Sequence, residues 1–256
     1  MIITNQLIET HSKSELRLIS GDTSAPIMKQ ILQARTEAFS SYIGTEKLDT
    51  DSFDEQYDHL YLYNAEEEEV IGAYRLGYGY RSALYSFSQF EPHEKLNGIQ
   101  SRCLDLGRSF VSKKHQQSFM PLMKLWRGIY KVFLEDDQLE FIIGCASIPG
   151  DLPQDFKDDI LTMLNINFRY WSDDIAVGKS PMCINSNESF ADVKTLENHY
   201  KEKGQKLRVP VLLNKYLSQN GKVLGFNLDK DFGNSIDVLM ILNKKDILEI
   251  TKEWLS

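Results

Sequence analysis

Cysteine is scarce and unpaired here. Cys103, Cys145 and Cys183 are odd in number and far apart, so a disulfide framework, a zinc site and a redox dithiol all lack the spacing they need. The three read as reduced thiols in or near the core. No uncharged apolar run approaches the roughly 20 residues of a membrane-spanning helix, and the opening MIITNQLIETHSK lacks the basic segment and long apolar segment of a leader. A cytoplasmic protein is expected, with peripheral contact at the inner membrane face compatible with that. Basic residues are outnumbered, 29 against 37 acidic ones, for a formal charge of −8. That balance excludes a general nucleic-acid binder, because phosphate contacts need a clustered excess of Lys and Arg. The five histidines show no metal-ligand spacing, so no metal is expected. Gly77-Tyr78-Gly79 lacks the third glycine and the helix of a dinucleotide loop, and no Ser, His and Asp set announces a hydrolase. Internal repeats and low-complexity linkers are absent too.

What remains is ordinary globular composition, 42% hydrophobic and 26% charged over 256 residues, enough to bury a sizeable core. The segment ELRLIS (15–20) alternates like a first strand, and the apolar positions from Pro26 to about Ile43 recur at helical spacing. HLYLYN (59–64) and VIGAYRL (70–76) flank the acidic tip AEEEE, whose glutamates repel one another and favour water, so the three together predict a hairpin. SRCLDLGRSFV (101–111) follows as a strand. In the run 115–136 the residues Phe119, Leu122, Met123, Trp126, Ile129, Tyr130 and Phe133 form one apolar helical face, and LEFIIGC (139–145) reads as a buried strand. The succession strand, helix, strand predicts a parallel crossover at the centre of an α/β sheet. Beyond Pro149 helices are expected near 153–165 and 189–203. Residues 209–221 read as a helix, KVLGFNL and SIDVLMIL as strands, and the tail from Lys244 as a helix. The organisation expected is one domain over 1–256, with 150–205 as a helical lid.

The segment LDLGRSFV (104–111) carries the chemistry. A central strand seldom holds Asp, Gly and Arg within four residues. Strict alternation puts Asp105 and Arg108 on opposite faces, and a bulge at the intervening glycine would bring both toward one cleft. Such a kink also splays the strand from its neighbour, leaving main-chain amides for an extended pantetheine arm and for a thioester oxyanion. An amine acceptor is mostly protonated near neutral pH and needs a base, for which Asp105 is the best-placed carboxylate. The competing reading is structural, with Asp105 and Arg108 as a buried ion pair or Asp105 as a turn cap. From the residues alone both readings stand.

These motifs resemble the GNAT-related family of acyl-carrier-protein-dependent N-acyltransferases, which includes ornithine lipid synthases, hemolysin-like glycine lipid synthases, N-acyl amino acid synthases and, more distantly, acyl-homoserine lactone synthases. The resemblance runs from about Arg35 to Leu242 and is most specific at LDLGRSFV. It continues in EQYDHL (55–60), VIGAYRL, YSFSQF (85–90), LWRGI (125–129), IIGCASIPG (142–150) and VLLNKYLSQNGKVLG. It implies a GNAT fold, an α/β mixed central sheet splayed at a bulged strand and flanked by helices. It also implies an enzyme of lipid biosynthesis that moves a long-chain acyl group, 3-hydroxylated in some members, from a carrier-protein thioester to an amino acid or similar amine, with no tightly bound cofactor.

By that resemblance Arg35, Phe39, Glu55, Asp58, Arg75, Phe90, Asp105 and Arg108 match the family's cleft set, with the acid on the strand as base or amine binder. Ser109 and Trp126 join them as substrate-side candidates, Trp126 also fitting the core. Two departures stand out. Asp105 replaces the usual Glu, and Ser109-Phe110-Val111 is followed by Lys113, Lys114 and His115 where an arginine is usual. The segment SKKHQQSFMP contains no glycine, unlike the pyrophosphate-binding loop of acetyl-CoA enzymes, which favours acyl carrier protein over coenzyme A as donor. Lys124, Arg127 and Lys131 share a helical stripe near Lys113, Lys114 and His115, and the six form a candidate docking patch for an acidic carrier; a solvated polar face accounts for them equally. Two other readings remain, an acyl-CoA-dependent enzyme of the same fold and a non-catalytic GNAT module that binds lipid or a partner.

Overall fold

The computed structural model describes residues 5–11, 13–21, 24–43, 47–91, 94–171, 176–181, 184 and 188–247. In chain order the elements are β1 (Gln6–His11), β2 (Ser14–Ile19), α1 (Pro26–Ile43), β3 (Asp58–Asn64), β4 (Glu69–Tyr78), α2 (Tyr85–Ser88), α3 (Glu94–Asn97), β5 (Cys103–Val111) and α4 (Met120–Glu135). There follow β6 (Phe141–Ile148), α5 (Gln154–Asn167), β7 (Ala176–Val177), α6 (Val193–Glu202), α7 (Val211–Leu217), β8 (Lys222–Asp229) and β9 (Ser235–Asn243). The described residues divide into two compact units, the first running through Tyr85 and resuming over Ile99–Ile142, the second comprising Ser86–Gly98 and the chain from Ile143 to Ile247.

In the first unit β1 to β5 pair in chain order, every pair antiparallel. Alternation deals the side chains of β2 and β3 to two apolar faces, as a sheet covered on both sides requires. Leu16 and Leu60 point to α4, where Gly128 lets the helix come close; a Cβ there would press on both leucines. Ile19 and Tyr61 point the other way and pack with Met28 and Ile31 of α1, Val70 and Ala73 of β4 and Phe110 of β5. The acidic tip between β3 and β4 is an Asx turn, with Asn64 Oδ1 accepting from the amides of Glu66 and Glu67 at 3.1 and 3.3 Å, and Glu68 takes a left-handed φ of 52°. Its glutamates are not left to water alone. Lys13 meets Glu66 at 2.9 Å, Lys114 pairs with Glu67 and Glu69, and His115 Nε2 lies 2.9 Å from Glu69.

In the second unit β6, β9, β8 and β7 are neighbours in that order. β8 and β9 are antiparallel and β7 joins β8 in parallel, so this part is mixed. Helix α5 buries Phe156, Ile160, Leu161, Met163 and Leu164, and α6 is fastened by Tyr200, whose hydroxyl donates to Asp159 at 2.7 Å.

Several expectations need adjustment. A strand, β1, precedes the one expected to be first. Helix α4 starts at Met120, not 115: residues 113–115 form a short 3-10 turn, and Pro121, lacking an N–H, suits the first helical turn. Helix α7 stops at Leu217, well before Gly221. Lys244–Asp246 is a 3-10 turn, while the rest of the expected C-terminal helix, and Cys183, lie outside the described residues.

Candidate active site

The strand β5 departs from its ladder where the sequence suggested, but through a different residue. Gly107 stays paired, opposite Arg75, and the register slips between the pairs Arg75–Gly107 and Ala73–Phe110, so that Tyr74 faces both Arg108 and Ser109. Arg108 absorbs the extra residue with φ at 48°, a left-handed conformation that costs a non-glycine residue roughly 1 to 2 kcal/mol. Glycine at 107 serves another purpose. A Cβ built there would lie 3.8 Å from Arg75 Nε, so a longer side chain would displace that guanidinium. Because of the slip, Asp105, Gly107 and then Phe110 share one face, that of α1, and the Arg108 side chain reaches the same face.

There Arg108 meets a buried network of three arginines and three aspartates. Arg35 of α1 donates from Nη1 and Nη2 to the two carboxylate oxygens of Asp54, each at 2.8 Å, its Nε lies 2.9 Å from Asp49 Oδ2, and Nη2 also donates to the Asp49 carbonyl. Arg75 Nη1 donates to Asp51 at 2.6 Å and to Asp54 at 3.1 Å. Arg108 Nη2 is held more loosely, 3.4 Å from Asp51 and 3.6 Å from Asp49. Asp51 also caps the 3-10 turn Ser52–Asp54, accepting from the Phe53 amide at 2.9 Å while Asp54 accepts from the Asp51 amide at 2.9 Å. This reciprocal cap presents two carboxylates toward the sheet.

Burial and charge compete in this network. Burial works to protonate Asp54, but the hydrogen bonds and charge of Arg35, with Arg75 beyond, hold its carboxyl well below the usual carboxylate range. Burial disfavours the charge on Arg108, and Asp49, Tyr85 and Asp51 outweigh it, leaving its affinity for a proton above the ordinary arginine value. His59, whose Nε2 donates to the Asp54 carbonyl at 3.0 Å, is pulled down by burial to about 4 and is neutral at pH 7. Arg75 is 1% exposed, and its Nε and Nη2 find no hydrogen-bond acceptor among the described residues. Its guanidinium carbon lies instead 5.8, 5.4 and 5.3 Å from the ring centres of Phe53, Tyr57 and Tyr85, where cation–π attraction offsets some of the lost hydration.

Asp105 sits beside this network, 1% exposed. Its Oδ2 accepts from the Tyr57 hydroxyl at 2.9 Å, and that hydroxyl accepts in turn from the Tyr85 amide at 2.7 Å. Gly77, paired with Asp105 across the ladder, makes room: a Cβ there would overlap the Tyr57 ring.

The residues singled out in the sequence therefore separate. Arg35, Arg75, Asp105 and Arg108 come together. Glu55 is exposed at the end of the 3-10 turn, and Asp58 pairs with Arg81 at 3.1 Å, burial raising its pKa against the pull of Arg81; two of the three carboxylates in the network, Asp51 and Asp54, lie four residues earlier in each case. Phe39 packs at the edge of the α1 core. Trp126 is a core residue on the α4 face, 1% exposed, its Nε1 donating to the Tyr74 hydroxyl at 3.1 Å near Ser109. Phe90 is buried in the second unit, its backbone bridged to Gly178.

Of the expected docking residues, Lys114 and His115 bind the hairpin tip, as described. Arg127 and Lys131 both reach Glu9 at 2.9 Å, and Lys124 donates to the Ser14 hydroxyl at 2.9 Å. The stripe is real, but it is clamped onto β1 and β2. Lys113 is exposed and donates to the Ser40 hydroxyl at 2.9 Å.

Asp49, Asp51, Asp54, Tyr57 and Tyr85 went unnoticed in the sequence. A signal existed: Asp51-x-x-Asp54 has the spacing of a capping box, and an arginine on the buried stripe of α1 demands an acid somewhere.

Residues 34–127 match the family model described as an acetyltransferase (GNAT) domain. A glycine N(alpha)-acyltransferase of Phocaeicola vulgatus is 26% identical over 277 residues, spanning 93% of this chain and 82% of that protein. An L-ornithine N(alpha)-acyltransferase of Rhodobacter capsulatus is 33% identical over 112 residues, 41% of this chain and 42% of that one. Among solved structures, the CoA-dependent acyl-homoserine lactone synthase BjaI with SAM and isopentyl-CoA superposes with a TM-score of 0.50 at 12% identity, over 93% of this chain and 87% of that chain; this likeness concerns the fold.

Proposed function

Starting from a chain that belongs to the GNAT-related N-acyltransferases and has their fold, we propose that it transfers a long-chain fatty acyl group, 3-hydroxylated or not, from acyl carrier protein to the α-amine of a small amino acid, as a step of lipid biosynthesis. The chain is an acyltransferase that acts on amino-acid amines; donor and acceptor are the finer part of the proposal. Glycine and ornithine are the first acceptors to consider, since they stand in the names of its relatives.

The observation that carries the reading is Asp105 on a bulged strand, its carboxylate oriented by Tyr57, three residues before Arg108 in its strained conformation. Strain of that kind persists where the surroundings over-determine it, and it clusters at functional sites. In the proposed reaction the neutral amine attacks the thioester carbonyl, the C–N bond forms, the tetrahedral intermediate collapses and the C–S bond breaks. Asp105 takes the proton lost by the amine, and the pantetheine thiolate leaves and is protonated. Asp105 thus acts as general base or amine binder, and Arg108, with its loose contacts to Asp51 and Asp49, as the adjustable cation. Arg35 and Arg75 are engaged with Asp49, Asp51 and Asp54 and act as a scaffold. The exposed Lys113 is the best candidate for docking an acidic carrier. Peripheral contact with a membrane is consistent with a lipid product, and no helix among the described residues is long and apolar enough to cross a bilayer.

The test is turnover of purified protein with palmitoyl- and 3-hydroxypalmitoyl-acyl carrier protein, and with the matching coenzyme A thioesters, against glycine, ornithine and a mixture of amino acids, read by mass spectrometry. N-acyl amino acids formed faster from the carrier-protein donors support the proposal. Preference for short coenzyme A thioesters overturns the donor assignment, and the absence of any N-acyl product overturns the whole reading.

A further inference from the structure

Tyr57 is fixed beside Asp105 by three independent features. Its hydroxyl oxygen accepts from the Tyr85 amide at 2.7 Å, and a main-chain N–H can only donate, so the phenolic proton must point along the remaining contact, to Asp105 Oδ2 at 2.9 Å. Its ring lies over Gly77, the ladder partner of Asp105, where any Cβ would collide with it. The ring also meets the Arg75 guanidinium, whose carbon lies 5.4 Å from the ring centre. Phe53 closes the arrangement edge-on, with ring centres 5.5 Å apart. A glycine, a backbone amide and a cation–π contact all serve to put one hydroxyl against one carboxylate.

We propose that Tyr57 is a positioning residue for Asp105: its hydroxyl holds the shortened carboxylate in one orientation and keeps it ionised inside a buried site. The inference rests on the reading of Asp105 as the group that receives the amine proton. A buried carboxylate tends to take up a proton and so lose its use as a base, whereas a donor hydrogen bond to the ionised form opposes that. An aspartate here is one methylene shorter than a glutamate, so its reach depends on a fixed rotamer. Tyr57 can play this part because it stays protonated: burial, and then the negative charge of Asp105, push its own pKa far above the ordinary phenol value. Two other ionisable groups described near Asp105 are Arg75, beside the Tyr57 ring, and the Cys103 thiol on its own strand, which burial and then Asp105 push upward, so it too remains neutral. Neither donates to Oδ2 in place of Tyr57 among the hydrogen bonds described.

The experiment compares wild type, Tyr57→Phe and protein carrying 3,5-difluorotyrosine at position 57, in two readouts. One is the pH profile of kcat/KM with an acyl carrier protein donor; the other is a carboxyl-carbon NMR titration of labelled aspartate, with the Asp105 signal assigned through Asp105→Asn. Loss of a hydrogen bond to a charged group moves the acid limb and the Asp105 titration up by about one to two pH units. The more acidic difluorophenol, a stronger donor, moves both down. A residue that merely fills space would leave both unmoved, and unchanged profiles in the two variants overturn the inference. The difluoro variant keeps the shape of tyrosine, so it decides the matter even if the phenylalanine variant folds poorly. An Asp105→Asn protein with undiminished turnover overturns the functional reading and the role of Tyr57 with it; an inactive Asp105→Asn beside an unshifted Tyr57→Phe overturns the role of Tyr57 alone.

Discussion

At the level of single residues, Asp105 and His59 are both buried in unusual company, and each predicts a measurable effect. Asp105 has a tyrosine hydroxyl as partner and a glycine across the ladder. Asp105→Asn preserves shape, so we expect kcat to fall by about 10² to 10⁴ with the thermal midpoint within a few degrees of wild type, as measured by steady-state assay and calorimetry. His59 predicts a pH effect on stability instead. Its pKa is about 4 in the folded protein against 6.5 ordinarily, so between those values the unfolded chain binds the extra proton and stability falls as pH falls. The loss is on the order of 3 kcal/mol across that window. Denaturant titrations of His59→Gln should show a flatter dependence between pH 6.5 and 4 than wild type. Asp54 works in the range below: its folded pKa is depressed from 3.8, so the stability it adds is present above about pH 4 and is lost in stronger acid.

Among the elements, the 3-10 turn Ser52–Asp54 and the strand β5 meet through the arginine network, and the turn matters as much as the strand. Asp54 is fully buried and serves Arg35 and Arg75 together. Asp54→Ala leaves two guanidinium groups underpaired in the interior, and removing one partner of such a group costs roughly 3 to 5 kcal/mol. Asp51 is a quarter exposed, so Asp51→Ala should cost about 1 kcal/mol, the usual loss of a cap, and lower turnover through the freed Arg108. Chemical denaturation of the two variants checks the order. The periodic elements were legible from sequence: α1, the hairpin β3–β4, β5, α5, β8 and β9 fall within a few residues of their expected bounds, because each presents a continuous apolar face. The 3-10 turn was not. It is three residues long and polar, and its role depends on arginines 19 and 21 positions away in sequence, a relation that no periodicity encodes. For the same reason the carboxylates were sought at Glu55 and Asp58, which share the i, i+3 spacing of Asp51 and Asp54 without their burial. Trp126 illustrates the opposite case, since an aromatic on the apolar stripe of a long helix is core unless something else intervenes.

At the scale of the whole molecule, most of the basic residues of the α4 stripe and of the turn before it are already engaged. Lys114, His115, Arg127 and Lys131 are tied to the protein's own glutamates, and Lys113 meets a hydroxyl only among its described contacts. If an acidic carrier protein delivers the donor, Lys113→Glu should lower kcat/KM several-fold with acyl carrier protein and leave the matching coenzyme A thioester unaffected; equal effects on both would speak against a docking role. Because steering between unlike charges is screened within about 10 Å at 0.1 M salt, the carrier-dependent rate should also fall with ionic strength more steeply than the coenzyme A rate.

The slip at Arg108 also bears on how this strand tolerates change in length. One supernumerary residue in β5 is what allows Asp105 near its start and Phe110 near its end to look toward the same helix. Removing it would straighten the ladder and leave Phe110 opposite Ala73 on the α1 side, so what is lost is the left-handed step that carries the Arg108 guanidinium toward Asp51 and Asp49. Deleting the Arg108 codon should therefore keep the fold while turnover is lost, whereas one further residue inserted between Gly107 and Phe110 should turn Phe110 away from the α1 core and destabilise the protein, as thermal melts of the two variants would show.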